Sequence, residues 1–247
     1  MIYGETTDKF TLMAGCDRVY LYQHAKSLVV TAALAKNNLH LHVTNPLEED
    51  LKYLEILKNG YSMLSSSTVM TTSYDTIDIS NLSDKERKTF YSCVRFIVAP
   101  EVVKGDVLIV DVDCFILKKI NNFDVDVGLF FRQDHRTDYV DSFWKIKVKR
   151  LMAGIVYVNY KSMDFLHFVR DFIQTNERRW YADQVGLIKA HKAFKDKKYL
   201  HFGPEYLDWY MNPGSYIWTG KASLKRTKKY QDKIAYYNNI FPLKDEV

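Results

Sequence analysis

Long apolar runs are missing from this sequence of 247 residues. None approaches the roughly 20 residues that a membrane span needs, and no apolar segment follows a basic start. The expected setting is therefore soluble and cytoplasmic. Cysteine is scarce as well: Cys16, Cys93 and Cys114 are odd in number, far apart and without C-x-x-C spacing. That spacing speaks against a disulfide framework and a zinc site, leaving three reduced structural thiols. Dense basic clusters of the kind that grip nucleic acid are also lacking. The formal net charge of +5 is modest, and suits a small acidic ligand such as a nucleotide or phosphate. Neither internal repeats nor low-complexity linkers divide the chain.

What is present is a hydrophobic content of 47%, enough for one good core, hence one domain or two fused halves. Its 15% of aromatic residues fits either flat ligands such as bases and sugars or tight core packing. Short strands alternate with helices. FTLMA (10–14) reads as a buried strand, and 18–36 carries apolar residues at helical spacing. LHLHV (39–43) alternates as a strand, and an amphipathic helix follows Pro46. Ser83 and Glu86 form a capping-box signature at the head of 83–96. VLIV (107–110), DVGLFF (126–131) and AGIVYVN (153–159) read as further strands, the last followed by a helix over 162–175. This order implies an α/β domain on a mainly parallel sheet, with ligands beyond the carboxyl ends of the strands.

Asp111 and Asp113 stand at the carboxyl end of VLIV. In an extended segment, residues i and i+2 point the same way, so both carboxylates converge on one site. Two converging anions repel unless a proton or cation is shared. Hard oxygen donors favour Mg²⁺ or Mn²⁺, which keep open positions for phosphate oxygens. The alternative is a strand-end pair satisfied by backbone N–H groups or water. A second D-x-D, Asp124 and Asp126, stands before its strand and is expected at the opposite sheet edge, as solvated turn chemistry.

Taken in order, FTLMAGCDRVYLYQHAKSLVVTA (10–32), LHLHVTNP (39–46), YSCVRFIVAPEV (91–102), VLIVDVDCFIL (107–117), AGIVYVNYKS (153–162), WYADQVGL (180–187) and YIWTGKASLK (216–225) resemble the GT-A-type glycosyltransferases, nearest the glycogenin and bacterial galactosyltransferase-like group. Each motif is weak alone; their order and spacing over most of the chain carry the resemblance. It implies a GT-A fold with a Rossmann-like mixed central sheet, a nucleotide-binding half (1–117) and an acceptor-binding half with a closing C-terminal segment (118–247). It also implies a metal-dependent hexosyltransferase, retaining in outcome, acting from a nucleotide-diphospho-sugar, with a UDP-sugar expected. By resemblance, Asp17 and Tyr20 form the nucleotide pocket, although Asp17 is equally natural as a helix cap. Arg95 contacts diphosphate or donor sugar, or else is a surface ion pair. Asp111 and Asp113 hold Mn²⁺ or Mg²⁺, Gly154 and Asn159 flank the donor sugar, and Asp183 and Gln184 face the reacting sugar as catalytic or sugar-binding groups.

The C-terminal motif departs from the pattern. That group often carries a histidine there as a third metal ligand; here Trp218 stands in the neighbourhood, with Gly220, Lys221 and Lys225 retained. Gly220 and Lys221 are expected at the diphosphate. His201 is a substitute ligand only from outside the motif, and otherwise structural. The loop 132–150 occupies a place where such folds shape the acceptor site. Two rivals remain. Haloacid-dehalogenase-like phosphatases also end a strand in D-x-D, but near the start of the domain and with Thr or Val where Phe115 stands. The second is a non-catalytic nucleotide- or nucleic-acid-binding module using the basic tail 221–233, which reads more simply as a solvated face.

Overall fold

The computed structural model describes residues 1–132, 134–176, 179–220 and 222–240. Its strands are β1 (Ile2–Gly4), β2 (Thr11–Cys16), β3 (Leu39–Thr44), β4 (Met70–Asp75), β5 (Val107–Val110), β6 (Cys114–Ile116), β7 (Val127–Phe131), β8 (Leu151–Val158), β9 (Tyr199–Phe202), β10 (Leu207–Asp208) and β11 (Ile217–Thr219). A first turn, α1 (Arg18–Tyr20), runs through a π-helical turn at Leu21–Ala25 into α2 (Lys26–Leu34). Then come α3 (Glu48–Leu64), α4 (Asp84–Val102), α5 (Met163–Thr175), α6 (Ala182–Ala193) and α7 (Lys228–Ile240).

Among the described residues, eight strands form one mixed sheet in the order β1-β4-β3-β2-β5-β8-β7-β9. Strands β4, β3, β2 and β5 are mutually parallel, while β8 runs antiparallel to both β5 and β7. The period of two divides each strand between two cores. Leu12 and Ala14 of β2 and Leu108 and Val110 of β5 pack with α2 and α3 on one face. Met13, Val107 and Ile109 pack with α4, α5 and α6 on the other. A small sheet, β10-β11-β6, joins the C-terminal segment to the residues just after Asp113. No helix among the described residues is long and apolar enough to cross a membrane.

Helix α4 opens as the sequence indicates: Ser83 Oγ accepts from the Glu86 N–H, and the Glu86 carboxylate accepts from the Ser83 N–H at 2.9 Å. It runs past the expected end at 96 to Val102 and carries Pro100 in its last turn. It also lies unusually close to β2. A Cβ on Gly15 would stand 2.9 Å from Val94 Cγ1 and 3.2 Å from the Arg95 nitrogen. Only a residue without a side chain lets the helix seat there.

The LHLHV alternation has a less usual meaning than a solvated face. Leu39, Leu41 and Val43 enter one core, but His40 and His42 are also fully buried. Hydroxyls of β4 satisfy them: His40 Nδ1 lies 2.8 Å from Thr71 Oγ1 and His40 Nε2 2.8 Å from Ser73 Oγ. Burial, with a smaller contribution from His42, pushes the His40 pKa down to about 3. The fold therefore binds the neutral ring, whereas the unfolded chain takes up a proton near pH 6.5. Stability should be fully present above that value and fall as pH drops toward 3. Urea midpoints measured from pH 7 to pH 4 should show this slope, with a smaller slope in His40→Asn; an equal slope in the variant would contradict the assignment.

Candidate functional site

The parallel strands β2 and β5 end side by side, and β8 returns beside β5 so that its first residues meet the same edge. There a cavity of about 700 Å³ opens. It is lined by Asp17 and Tyr20 of the β2–α1 turn, by Lys88, Tyr91 and Arg95 of α4, by Asp111, Asp113 and Asp183, and by Arg132 and Lys149 of the β7–β8 connection with Trp180 and Trp209.

The central charges interlock. One Arg95 nitrogen lies 2.9 Å from Asp111 Oδ1, 3.7 Å from Asp183 Oδ2 and 3.1 Å from the Ala153 carbonyl, and the other donates to the Ser92 carbonyl at 2.6 Å. Arg95 is buried, which removes the surface-ion-pair alternative. Lys225 Nζ pairs with Asp113 Oδ2 and lies 5.0 Å from the centre of the Tyr20 ring. Tyr230 of α7 donates to the Asp113 carbonyl at 2.8 Å, and Thr219 Oγ1 stands 3.4 Å from Asp113 Oδ1. Three carboxylates thus share two cations. Burial and the neighbouring Asp111 raise the Asp113 pKa, although Lys225 opposes them. Burial raises that of Asp183 against the pull of Arg95. For Lys225, burial favours loss of the proton, but Asp113 outweighs it and the net shift is upward. The cluster retains a deficit of positive charge.

That deficit fits a divalent cation. Asp111 Oδ2 faces Gly154, where a Cβ would come within 2.8 Å of it, so the glycine keeps this oxygen's surroundings open. No group of three or more His, Cys, Asp or Glu side chains among the described residues is arranged to hold a metal. A cation here would rest on the two aspartates and on ligand oxygens, as Mg²⁺ and Mn²⁺ commonly do. In the protein alone, Arg95 and Lys225 compensate the aspartates, an arrangement the sequence pattern did not reveal.

Other expected residues fall as follows. Asp17 Oδ1 accepts from the Tyr20 N–H at 2.9 Å as a helix cap, and the residue lines the cavity together with Tyr20. Gly154, Gly220, Asp183 and Gln184 also line it. Gln184 Oε1 is buried with no hydrogen-bond partner among the described residues. Asn159 is corrected. Because β8 runs antiparallel to β5, its first residues reach the cavity and its last point away; Asn159 lies about 17 Å along the strand from Gly154 at roughly 3.3 Å per residue, where its side chain accepts from the Lys161 N–H. His201 sits on β9 against the Phe131 ring, 4.9 Å between centres, and does not line the cavity. Trp218 is half-buried outside it, donating to the Asn212 carbonyl. Lys221 lies outside the described residues. Asp124 and Asp126 occupy the opposite edge, where Asp124 pairs with Lys198 at 2.8 Å and Asp126 accepts from the Lys198 N–H and Ser162. Cys16, Cys93 and Cys114 are buried free thiols.

No protein-family model and no curated protein matches the chain. Solved structures do. The bifunctional glycosyltransferase WbbM superposes with a TM-score of 0.64 at 10% identity over 95% of this chain and 50% of its own. The glycosyltransferase GlyE of Streptococcus pneumoniae TIGR4 gives 0.61 at 13%, over 96% and 62%. The galactosyltransferase LgtC, solved with donor and acceptor sugar analogues, gives 0.62 at 11%, over 96% and 98%. This chain thus spans about half of WbbM and nearly all of LgtC. Such low identities define the fold alone, and that fold is the GT-A type.

The Arg95 cluster can be tested without any ligand. Removing the guanidinium in Arg95→Met leaves Asp111 and Asp183 uncompensated. A wholly buried pair broken in this way costs about 3–5 kcal/mol; because Asp111 is about one-third exposed, roughly 2–3 kcal/mol is expected after allowance for solvent screening. Thermal unfolding should shift down by roughly 4–12 °C, at about 2–4 °C per kcal/mol. A shift within one degree would mean that Arg95 is a dispensable contact.

Proposed function

We propose that the protein transfers a hexosyl group from a nucleotide-diphospho-sugar, with a UDP-sugar the expected donor, to an acceptor hydroxyl. The observation that carries this reading is the Asp111–Asp113 pair with Arg95, Lys225 and Asp183 around it, at the strand edge of a GT-A fold. In this reading the base and ribose lie by Tyr20 and Asp17, and the diphosphate lies over Asp111 and Asp113. A Mn²⁺ or Mg²⁺ ion held by these aspartates would neutralise charge on the departing nucleoside diphosphate. Lys225, already 5.0 Å from the Tyr20 ring centre, would exchange Asp113 for a phosphate oxygen, a charge-assisted contact. Arg95 holds Asp111 and Asp183 in place, and Asp183 and the unpartnered Gln184 amide oxygen face the sugar. The bond from the anomeric carbon to the diphosphate oxygen breaks and a bond to the acceptor oxygen forms. The hydroxyl proton leaves with a diphosphate oxygen or solvent. Retention at the anomeric carbon belongs to this proposal too, by likeness to the sequence group. A cytoplasmic setting suits the three free thiols.

The phosphatase rival is disfavoured by position, since three parallel strands precede β5, the strand that leads into Asp111. The nucleic-acid rival gains nothing from α7, whose Tyr230 is buried against Phe115 rather than offered to a base.

Incubation with a panel of nucleotide sugars, with and without Mn²⁺, should yield metal-stimulated release of free nucleoside diphosphate for one donor. Asp111→Asn and Asp113→Asn should abolish that release while the protein stays folded. By calorimetry, Lys225→Ala should weaken nucleoside diphosphate binding about ten- to hundredfold, the loss of one charged contact of roughly 1.5–3 kcal/mol. Lys228→Ala, on the exposed start of α7, should change it little. Full release by either aspartate variant would refute the reading.

A further inference from the structure

The half of the cavity beyond Gly154 is built differently from the half that faces Tyr20. Arg132 follows directly on β7 (Val127–Phe131), and Lys149 lies in the turn Val148–Arg150, two residues ahead of β8, so strand polarity delivers both to the same edge. The carboxylates lining the cavity are Asp17, Asp111, Asp113 and Asp183, and they belong to the nucleotide and central parts. Arg132 is only 7% exposed. Its guanidinium lies 4.9 Å from the centre of the Trp209 ring, one terminal nitrogen pairs with Asp134, and its Nε has no hydrogen-bond partner among the described residues. Burying a guanidinium with an unpaired donor costs stability, and packing alone gives no reason for it. The Lys149 ammonium rests 4.0 Å from the Tyr139 ring centre, with no ion-pair carboxylate among the described residues. Trp180 is 49% exposed at the rim, an open indole face of the kind that covers the C–H face of a sugar ring.

We infer that this half-cavity takes an acceptor saccharide bearing an anionic group, a carboxylate or a phosphate ester, held by Lys149 and Arg132 while a sugar ring lies against Trp180. The inference rests on the glycosyl-transfer reading for the word acceptor, but the binding it describes stands by itself. Arg132 already has the Asp134 carboxylate, and its buried Nε offers no surface to a ligand. The Lys149 ammonium has no carboxylate among the described residues. An anion would supply the opposite charge there and add to the charge facing Arg132, which a neutral sugar would not.

Calorimetric titration of the whole chain with three disaccharides decides it: a neutral one, the same one ending in a uronic acid, and the same one carrying a phosphate ester. At least one charged form should bind ten- to a hundredfold more tightly than the neutral form, and the tighter of the two identifies the anion. Lys149→Ala and Arg132→Lys should each remove about tenfold or more of that preference. Lys147→Ala, on a lysine paired with Asp138 outside the cavity, should remove none. Equal binding of neutral and charged forms, or an unchanged preference in Lys149→Ala, would overturn the inference. A parallel titration with uridine diphosphate and Mn²⁺ separates the two readings. If that nucleotide binds and no charged saccharide is preferred, only the acceptor inference fails; if the nucleotide does not bind, the donor reading fails whatever the saccharides do.

Discussion

Arg95 lies between Asp111 and Asp183, and most of the local architecture serves to hold it there. Its guanidinium reaches both carboxylates and a β8 carbonyl only because α4 lies almost on top of β2, and that proximity exists because residue 15 has no side chain. The capped start of α4 fixes where the helix begins, and hence which residue meets the strand edge. From the other side, β11 and α7 close over the motif: Tyr230 anchors the Asp113 carbonyl and Lys225 pairs with its carboxylate. The aspartates stay at a buried strand edge because two cations from different parts of the chain are brought to them.

This balance is incomplete in a useful way. Burial disfavours the charged forms of Asp113 and Asp183 even with the cations in place, so the free protein holds an electrostatic cost at this edge. In the proposed reading a bound cation would relieve that cost by adding positive charge, and a diphosphate would give Lys225 an alternative partner. Sites of this kind trade stability for ligand affinity. The antiparallel return of β8 brings Arg132 and Lys149 from the β7–β8 connection to the same cavity that groups of the β2–α1 turn and α4 line.

Much of the centre was legible in the sequence. VLIV followed by two aspartates marked the strand and the edge at which they stand. The extended i, i+2 register did not carry through, because Val112 and Asp113 form a turn between β5 and β6, yet both aspartates line the one cavity. The same polarity argument sent Asp124 and Asp126 to the far edge, where Lys198 meets them. Local patterns cannot give the partner of a buried charge when it is distant in sequence. Lys225 reaches Asp113 across more than a hundred residues through the β6–β11 pairing, and although the resemblance singles out Lys225, nothing in KASLKRTKK points to Asp113 as its partner. Asn159 was misplaced for a related reason: AGIVYVN reads as a strand either way round, and only the antiparallel pairing with β5 decides which end meets the ligand. The histidines of LHLHV look half-solvated by alternation, yet lie buried because β4 supplies hydroxyls at matching register.

The most direct test of the account is a crystal of the protein grown with a nucleoside diphosphate and Mn²⁺, measured for the anomalous scattering of manganese. The account predicts a single strong peak within coordination distance of Asp111 and Asp113 oxygens, shared with the diphosphate, with the Lys225 ammonium moved from Asp113 onto phosphate. A nucleotide bound elsewhere, or a Lys225–Asp113 pair intact with no manganese between the aspartates and the diphosphate, would contradict it.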